Sequence, residues 1–439
     1  MTVPRVAGDL AHRLETFELR LTTADGRPLA DTEVEVEQTK HAFGFGNIGF
    51  DFIGLLGGAA HDPNADAARV FGGADAADAE EILPRWLELF NMVTLPFYWR
   101  GYEPRPDAVD QARLRATAEY FAARGVAIKG HPLVWHTLAP KWLLELDDDA
   151  VERRLRGRVT REVSEFAGLI DHWDAINETV ILPVFTAEEN ALTRLAQTRT
   201  RVDMVRLAFE TARAANPGVK LVLNDFDLSE AYEHLIEECL DAGIRIDALG
   251  LQTHMHKGFR GEEQIFETIE RFSRFGLPLQ LTETTLLSGD IMPGHITDLN
   301  DHVVDSWPST PEGEERQADE IVRHYRTVVS HPAVESLTYW GITDAGSWLG
   351  APGGLIRADG SLKPSYEALH GLVRGEWWHE ARSLRTDADG VVQVRGFAGE
   401  YRVRKGESDA EFTVPRGGGR AAVTVGGLIG GAGESRDGR

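Results

Sequence analysis

Between His41 and Leu372, short apolar runs alternate with stretches whose apolar residues recur every three or four positions. That alternation is the pattern of parallel strands covered by helices. It predicts strands near His41–Phe45, Met92–Leu95, Ala127–Gly130, Trp173–Ile176, Leu221–Leu223, Ala248–Gln252, Leu279–Thr282 and Leu337–Gly341. It predicts helices over Ala79–Phe90, Asp110–Arg124, Ala150–Ile170, Arg201–Ala215, Tyr232–Ala242, Glu262–Phe275, Gly313–Ser330 and Pro364–Val373. In Glu262–Phe275, for instance, Ile265, Phe266, Ile269 and Phe272 share one helical face. Eight strand–helix units imply an α/β fold, a closed (β/α)8 barrel of the TIM type with enlarged loops. An open doubly wound sheet is the alternative, but no Gly-x-Gly-x-x-Gly turn follows the first strand.

The flanks follow a different period. Phe17–Leu21 and Thr32–Glu37 alternate apolar with polar residues on either side of Ala24-Asp-Gly-Arg, which reads as a hairpin. Gly390–Gly396, Gly399–Arg404 and Ala421–Val425 are again of β type. Neither end is large enough to bury a core alone, so the two are expected to combine into one small accessory β module. The organisation expected is a hairpin segment over 1–40, a barrel over 41–375 and a β segment over 376–425 packing with the hairpin. A Gly-rich, disordered tail is expected over 426–439, and long loops over 57–78 and 286–312.

The 439 residues carry 70 Asp and Glu against 46 Lys and Arg, a net charge of -24. Such a surface repels phosphate backbones and anionic lipid, and no basic block offsets it, so neither nucleic acid nor membrane is an expected partner. No apolar run reaches the length of about 18 residues that a membrane-spanning helix needs. Residues Met1–Leu21 lack a basic stretch followed by an apolar block, so a cytoplasmic location is expected. The single Cys239 lies in a helical stretch and reads as a packed thiol.

In a barrel of this kind the site lies at the carboxyl ends of the strands. Those ends supply His131, Asn177, Glu178, Asn224, Asp225, Gln252, His254, Glu283 and Trp340. Glu178 and Glu283 follow the fourth and seventh strands, which face each other across a closed barrel. Two opposed carboxyls suit glycosidic cleavage: one protonates the leaving oxygen while the other attacks the anomeric carbon. Asp225 reads as a loop-holding residue outside that pair.

Six strings now carry a resemblance. Trp173-Asp-Ala-Ile-Asn-Glu, Leu281-Thr-Glu, His131-Pro-Leu-Val-Trp-His, Leu223-Asn-Asp-Phe, Leu249-Gly-Leu-Gln-Thr-His and Trp340-Gly-Ile-Thr-Asp-Ala-Gly-Ser-Trp resemble glycoside hydrolase family 10, the xylanase family. They occur in the family's order and cover roughly Phe43 to Val373. The resemblance implies a retaining β-glycoside hydrolase with Glu178 as acid/base and Glu283 as nucleophile, needing no metal and no cofactor, with a carbohydrate substrate. It also implies that Asn177, His131, Gln252 and His254 hold the sugar and the nucleophile, and that Trp135, Trp340 and Trp348 wall the subsite.

Three departures set this chain apart. Where the family carries a Glu, an Asn and a Lys that bind the neighbouring sugar, the chain reads Leu95-Pro-Phe-Tyr-Trp-Arg-Gly-Tyr-Glu-Pro. Tyr98 and Arg100 are the replacement substrate contacts expected there, and a β-linked oligosaccharide other than plain xylan, or a glycosylated small molecule, becomes the expected substrate. Thr285 stands where the family has an Asp that orients a neighbouring His. His131-Pro132 stands where the family has a cis His-Thr bond. Proline lowers the cost of cis from about 3 kcal/mol to about 1 or less, so a cis bond is predicted. Two other classes stay open. His254-x-His256 with His295 and His302 could hold a metal in a metal-dependent barrel hydrolase. A carbohydrate-binding protein without turnover is the second, with Thr285 marking the loss.

Overall fold

The computed structural model describes residues 9–58, 73 and 76–425. The tail expected at 426–439, and most of the loop expected over 57–78, lie outside the described residues. Among the described residues the chain divides into two compact units, 44–370 and 9–43 with 371–425.

In the larger unit eight parallel strands close a barrel: β3 (Gly44–Ile48), β4 (Met92–Pro96), β5 (Ala127–His131), β6 (His172–Asn177), β7 (Lys220–Asp225), β8 (Ala248–His254), β9 (Leu279–Thr285) and β10 (Val334–Tyr339). They pair in chain order, and β10 closes on β3. This is a (β/α)8 barrel, as the periodicity implies. Strands buried on both faces read as nearly continuous apolar runs, which is why Leu221–Leu223 and Leu279–Leu281 were legible. The helices start where capping side chains permit. Asp147 accepts from Ala150 N at the head of Asp148–Glu165, and Thr200 with Asp203 forms a capping box before Arg201–Ala215.

One barrel strand is displaced from its expected place. The run His41–Phe45 is not the first barrel strand; Gly44–Ile48 is, and His41 ends β2 (Glu33–His41) in the other unit. The glycines that weaken the strand signal are there for closure: a Cβ on Gly44 or Gly46 would come within 2.7 Å of Ser336 or Thr338 on β10.

The smaller unit corrects the hairpin. β1 (Leu14–Thr22) and β2 do not pair with each other. β1 lies between β12 (Val391–Phe397) and β15 (Gly419–Thr424). β2 lies between β11 (Arg382–Arg385) and β13 (Gly399–Lys405), with β14 (Ser408–Val414) on the far edge. Each strand has one apolar face, Phe17, Leu19 and Leu21 on β1 and Val34 and Val36 on β2. All five are buried in one core with Val394, Tyr401, Val403, Phe412 and Val414. With β1 and β2 in separate sheets, their apolar faces meet across that core from its two sides. Strands from both ends of the chain thus make one sandwich, with the edge strands β11 and β14 unforeseen because their residues are largely polar.

Among the described residues no helix is long and apolar enough to cross a membrane.

Candidate active site

The carboxyl ends of β4 to β10 bring the expected residues together, and a chain of amides joins the two glutamates. Asn177, the last residue of β6, accepts through Oδ1 from Asn224 Nδ2 at 2.7 Å and from Gln252 Nε2 at 3.1 Å. Asn224 on β7 donates from the same nitrogen to Glu283 Oε1 at 3.0 Å, and Gln252 on β8 reaches Glu178 Oε1 at 3.4 Å. Asn177 Nδ2 donates to Glu178 Oε1 at 3.2 Å, and Thr282 donates to Asn224 Oδ1 at 2.6 Å, which fixes the orientation of that amide. Both carboxyls therefore hang on one hydrogen-bonded network carried by four neighbouring strands.

Their environments differ. Glu178 has a positive φ of 58°, a left-handed conformation that costs a non-glycine residue about 1 kcal/mol or more. Its N–H donates to the Asn224 carbonyl at 2.8 Å, and Val180 N donates to Asp225 Oδ2 at 3.0 Å, so the turn that aims Glu178 is pinned to β7. Asp225 thus holds the loop, as its position suggested, and also accepts from Asp227 N at 3.0 Å. Burial pushes the Glu178 carboxyl up to about 8; Glu283 and Asp225 add to the rise, and the Trp135 and Gln252 donors oppose it. Trp135 Nε1–H donates to Glu178 Oε2 at 2.8 Å. Glu283, by contrast, accepts from Asn224 on one oxygen and lies 3.1 Å from His254 Nε2 on the other. One carboxyl is set up to keep its proton and the other is furnished with donors.

A buried ion pair supports the other expected imidazole. His131 Nδ1 lies 2.7 Å from Asp174 Oδ2, and Lys129 Nζ lies 2.9 Å from the same oxygen. Against burial, which alone would raise it, Lys129 and His131 hold Asp174 down to about 2. The ionised carboxylate only accepts, so the ring nitrogen facing it, Nδ1, is the one that donates. The His131-Pro132 bond is cis, as predicted.

The indoles frame the site. Trp340 lies 5.4 Å from His131 and 5.9 Å from His254, ring centre to ring centre, and Trp348 lies 4.8 Å from His254. Tyr98 is buried with Ile48, Phe50, Leu138 and Trp340, and Trp135 packs on that cluster. Arg100 is not among the groups that meet at the glutamates. It donates to Ala139 O at 3.0 Å and to Glu188 at 2.7 Å, tying together the loops after β4, β5 and β6. Asp174, Lys129 and Thr282 were missed as site residues, and Asn224, placed at the rim by its strand end, had been given no role there. Asn224 was legible in Leu223-Asn-Asp-Phe as a polar residue ending an apolar strand, whereas Lys129 carried no signal beyond its strand position. Both ring nitrogens of His254 face partners, Glu283 and Thr285. Among the described residues no group of three or more His, Cys, Asp or Glu is placed to hold a metal ion.

Comparison with known proteins fits this geometry. The sequence model described as Glycosyl hydrolase family 10 matches residues 76–371. The chain is 23% identical over 427 residues to the anti-sigma-I factor RsgI6 of Acetivibrio thermocellus, an alignment taking in 94% of this chain and 48% of that protein. This chain thus spans about half the length of that relative. It is 26% identical over 289 residues to endo-1,4-beta-xylanase A of Xylanibacter ruminicola, covering 59% of this chain and 75% of the relative. Among solved structures, xylanase 10B from Thermotoga petrophila RKU-1 in complex with xylobiose superposes with a TM-score of 0.59 at 20% identity. That match covers 76% of this chain and 95% of the other and shows the shared fold.

Proposed function

The chain belongs to glycosyl hydrolase family 10, and from that membership we propose a retaining β-glycoside hydrolase of the xylanase type in which Glu178 is the acid/base and Glu283 the nucleophile. The observation that carries the assignment is the contrast between the two carboxyls: burial holds Glu178 up to about 8, while Glu283 receives Asn224 and His254. Glu283 attacks the anomeric carbon as Glu178 gives its proton to the departing oxygen, leaving a glycosyl ester on Glu283. Glu178, now a carboxylate, takes a proton from water; the hydroxide attacks the anomeric carbon, the ester bond breaks, and the sugar leaves with its original configuration. Asn177, His131 and Gln252 would grip the sugar, and Trp135, Trp340 and Trp348 would wall it.

The substrate we propose is a β-linked oligosaccharide or glycan. A second reading, a glycosylated small molecule, is favoured by the apolar cluster of Ile48, Phe50, Tyr98, Leu138 and Trp340 beside His131. Tyr98 belongs to that wall, and Arg100 acts as a clamp between loops that shape the mouth. A panel of aryl β-glycosides and defined oligosaccharides, with proton NMR of the first-formed anomer, tests both readings. A first product of β configuration is expected; the α anomer appearing first would overturn double displacement.

A further inference from the structure

His254 joins two partners of different chemistry. Its Nε2 lies 3.1 Å from Glu283 Oε2 and its Nδ1 lies 2.9 Å from the Thr285 hydroxyl. An ionised carboxylate only accepts, so the proton on that side belongs to Nε2. A hydroxyl both donates and accepts, so Thr285 can satisfy a bare Nδ1 by donating to it. A carboxylate at that place could only accept, and would hold a second proton on the ring.

We propose that Thr285 is a positioning residue that keeps His254 neutral, donating its hydroxyl proton to Nδ1 so that the ring offers its Nε2–H to Glu283 without bringing a positive charge into the site. Thr285 faces His254 directly across the β8–β9 register, and Met255 N donates to the Thr285 carbonyl at 3.0 Å. The Thr285 side chain is buried with its methyl against Gly353, where a Cβ would come within 2.7 Å of it. A β-branched side chain so packed has little rotamer freedom, which holds the hydroxyl toward the ring. The titratable and charged groups facing His254 are Glu283 from β9, His256 two residues on, and Arg260, whose guanidinium reaches the His254 carbonyl at 3.3 Å. Burial holds His256 down to about 3, so it brings no charge at neutral pH. Trp340 and Trp348 present only indoles. A sugar gaining positive charge in the transition state is repelled by an imidazolium and not by a neutral donor.

The kinetic consequence rests on Glu283 being the nucleophile; the protonation state of the ring does not. The test is nitrogen-15 NMR of the full chain labelled at histidine, at pH 7 without substrate, with the His254 signals assigned through H254Q. The expected spectrum has His254 protonated at Nε2 alone, with Nδ1 accepting a hydrogen bond. T285S keeps that spectrum, T285D shows both nitrogens protonated, and T285V shifts Nδ1 to the position of a ring nitrogen without a donor. With an aryl glycoside, T285V loses about tenfold in kcat, the worth of one hydrogen bond, and T285S recovers it. A wild-type ring protonated at both nitrogens or at Nδ1 alone would overturn the proposal, as would a spectrum unaltered in both T285V and T285D. Absence of turnover in the wild type on every glycoside tried would count against the glycosidase reading and leave the ring result standing.

Discussion

Replacing Glu178 by glutamine keeps the side chain's shape and its acceptor oxygen but removes the transferable proton. With the carboxyl held up to about 8, about nine in ten molecules carry that proton at pH 7 and about one in ten at pH 9, so wild-type kcat/KM should fall about tenfold across that interval. In E178Q this basic limb should vanish. On substrates whose leaving group needs protonation, general-acid loss should cost about 10²–10⁴-fold, or about 3–5 kcal/mol of transition-state stabilisation. A dinitrophenyl glycoside, which departs without a proton, should be spared in the first step. It should then stall at the second for want of a base, giving a burst of phenolate followed by slow turnover. Stopped-flow absorbance between pH 6 and about 9.5 reads all three quantities. A loss under tenfold on poor leaving groups, or an unchanged basic limb, would refute the assignment of Glu178.

Three further outcomes follow from the same geometry. A 2-deoxy-2-fluoro aryl glycoside should leave a mass adduct on the peptide bearing Glu283, and E283A should lose several orders of magnitude in turnover; an adduct on another carboxyl excludes this nucleophile. Lys129→Met strips the cation from Asp174, whose carboxylate is fully buried, and should cost about 3–5 kcal/mol in urea unfolding, with a change below about 1 contradicting the ion pair's role. Burial holds His136, His256 and His324 down to about 3, below their unfolded value of about 6.5, so only the unfolded chain takes up these protons as pH falls. The stability from keeping them neutral is complete above pH 6.5 and drains on acidification, at about 1.4 kcal/mol per pH unit for each ring until the folded value is reached. Urea titrations at pH 7, 6 and 5 check the slope, and a flat profile is inconsistent with three neutral buried rings.

Much of the fold was readable one segment at a time, because the segments concerned are locally consistent. Arg201–Ala215 has its capping box and apolar face within its own residues, and its observed ends match the expected ones. β9 extends three residues past the expected Thr282, through Glu283 to Thr285, all buried. Polar residues at such a place look like the end of a strand, yet here they pair with β8 and turn inward to the site. Gly44–Ile48 was misplaced for the opposite reason, since its glycines answer to β10, a strand almost 300 residues away in the chain. The hairpin between β1 and β2 failed because alternation shows which face of a strand is apolar and is silent on which neighbour it will take.

The order of elements, the residue types at the strand ends and the pairing of Glu178 with Glu283 were decided by the chain itself, since these depend on local period and on chemistry carried in short strings. Which oxygen meets which donor was decided by the closed barrel alone. Asn177, Asn224 and Gln252 come from three strands, and only closure sets their amides in one line between the carboxyls. The unequal character of the two glutamates arises in the same way, because burial and the nearness of Asp225 and Glu283 are properties of the folded interior. Arg100 shows the converse: a cation whose sequence position pointed to substrate finds Glu188 and Ala139 first, because a long side chain satisfies whatever acceptors the tertiary fold brings within reach.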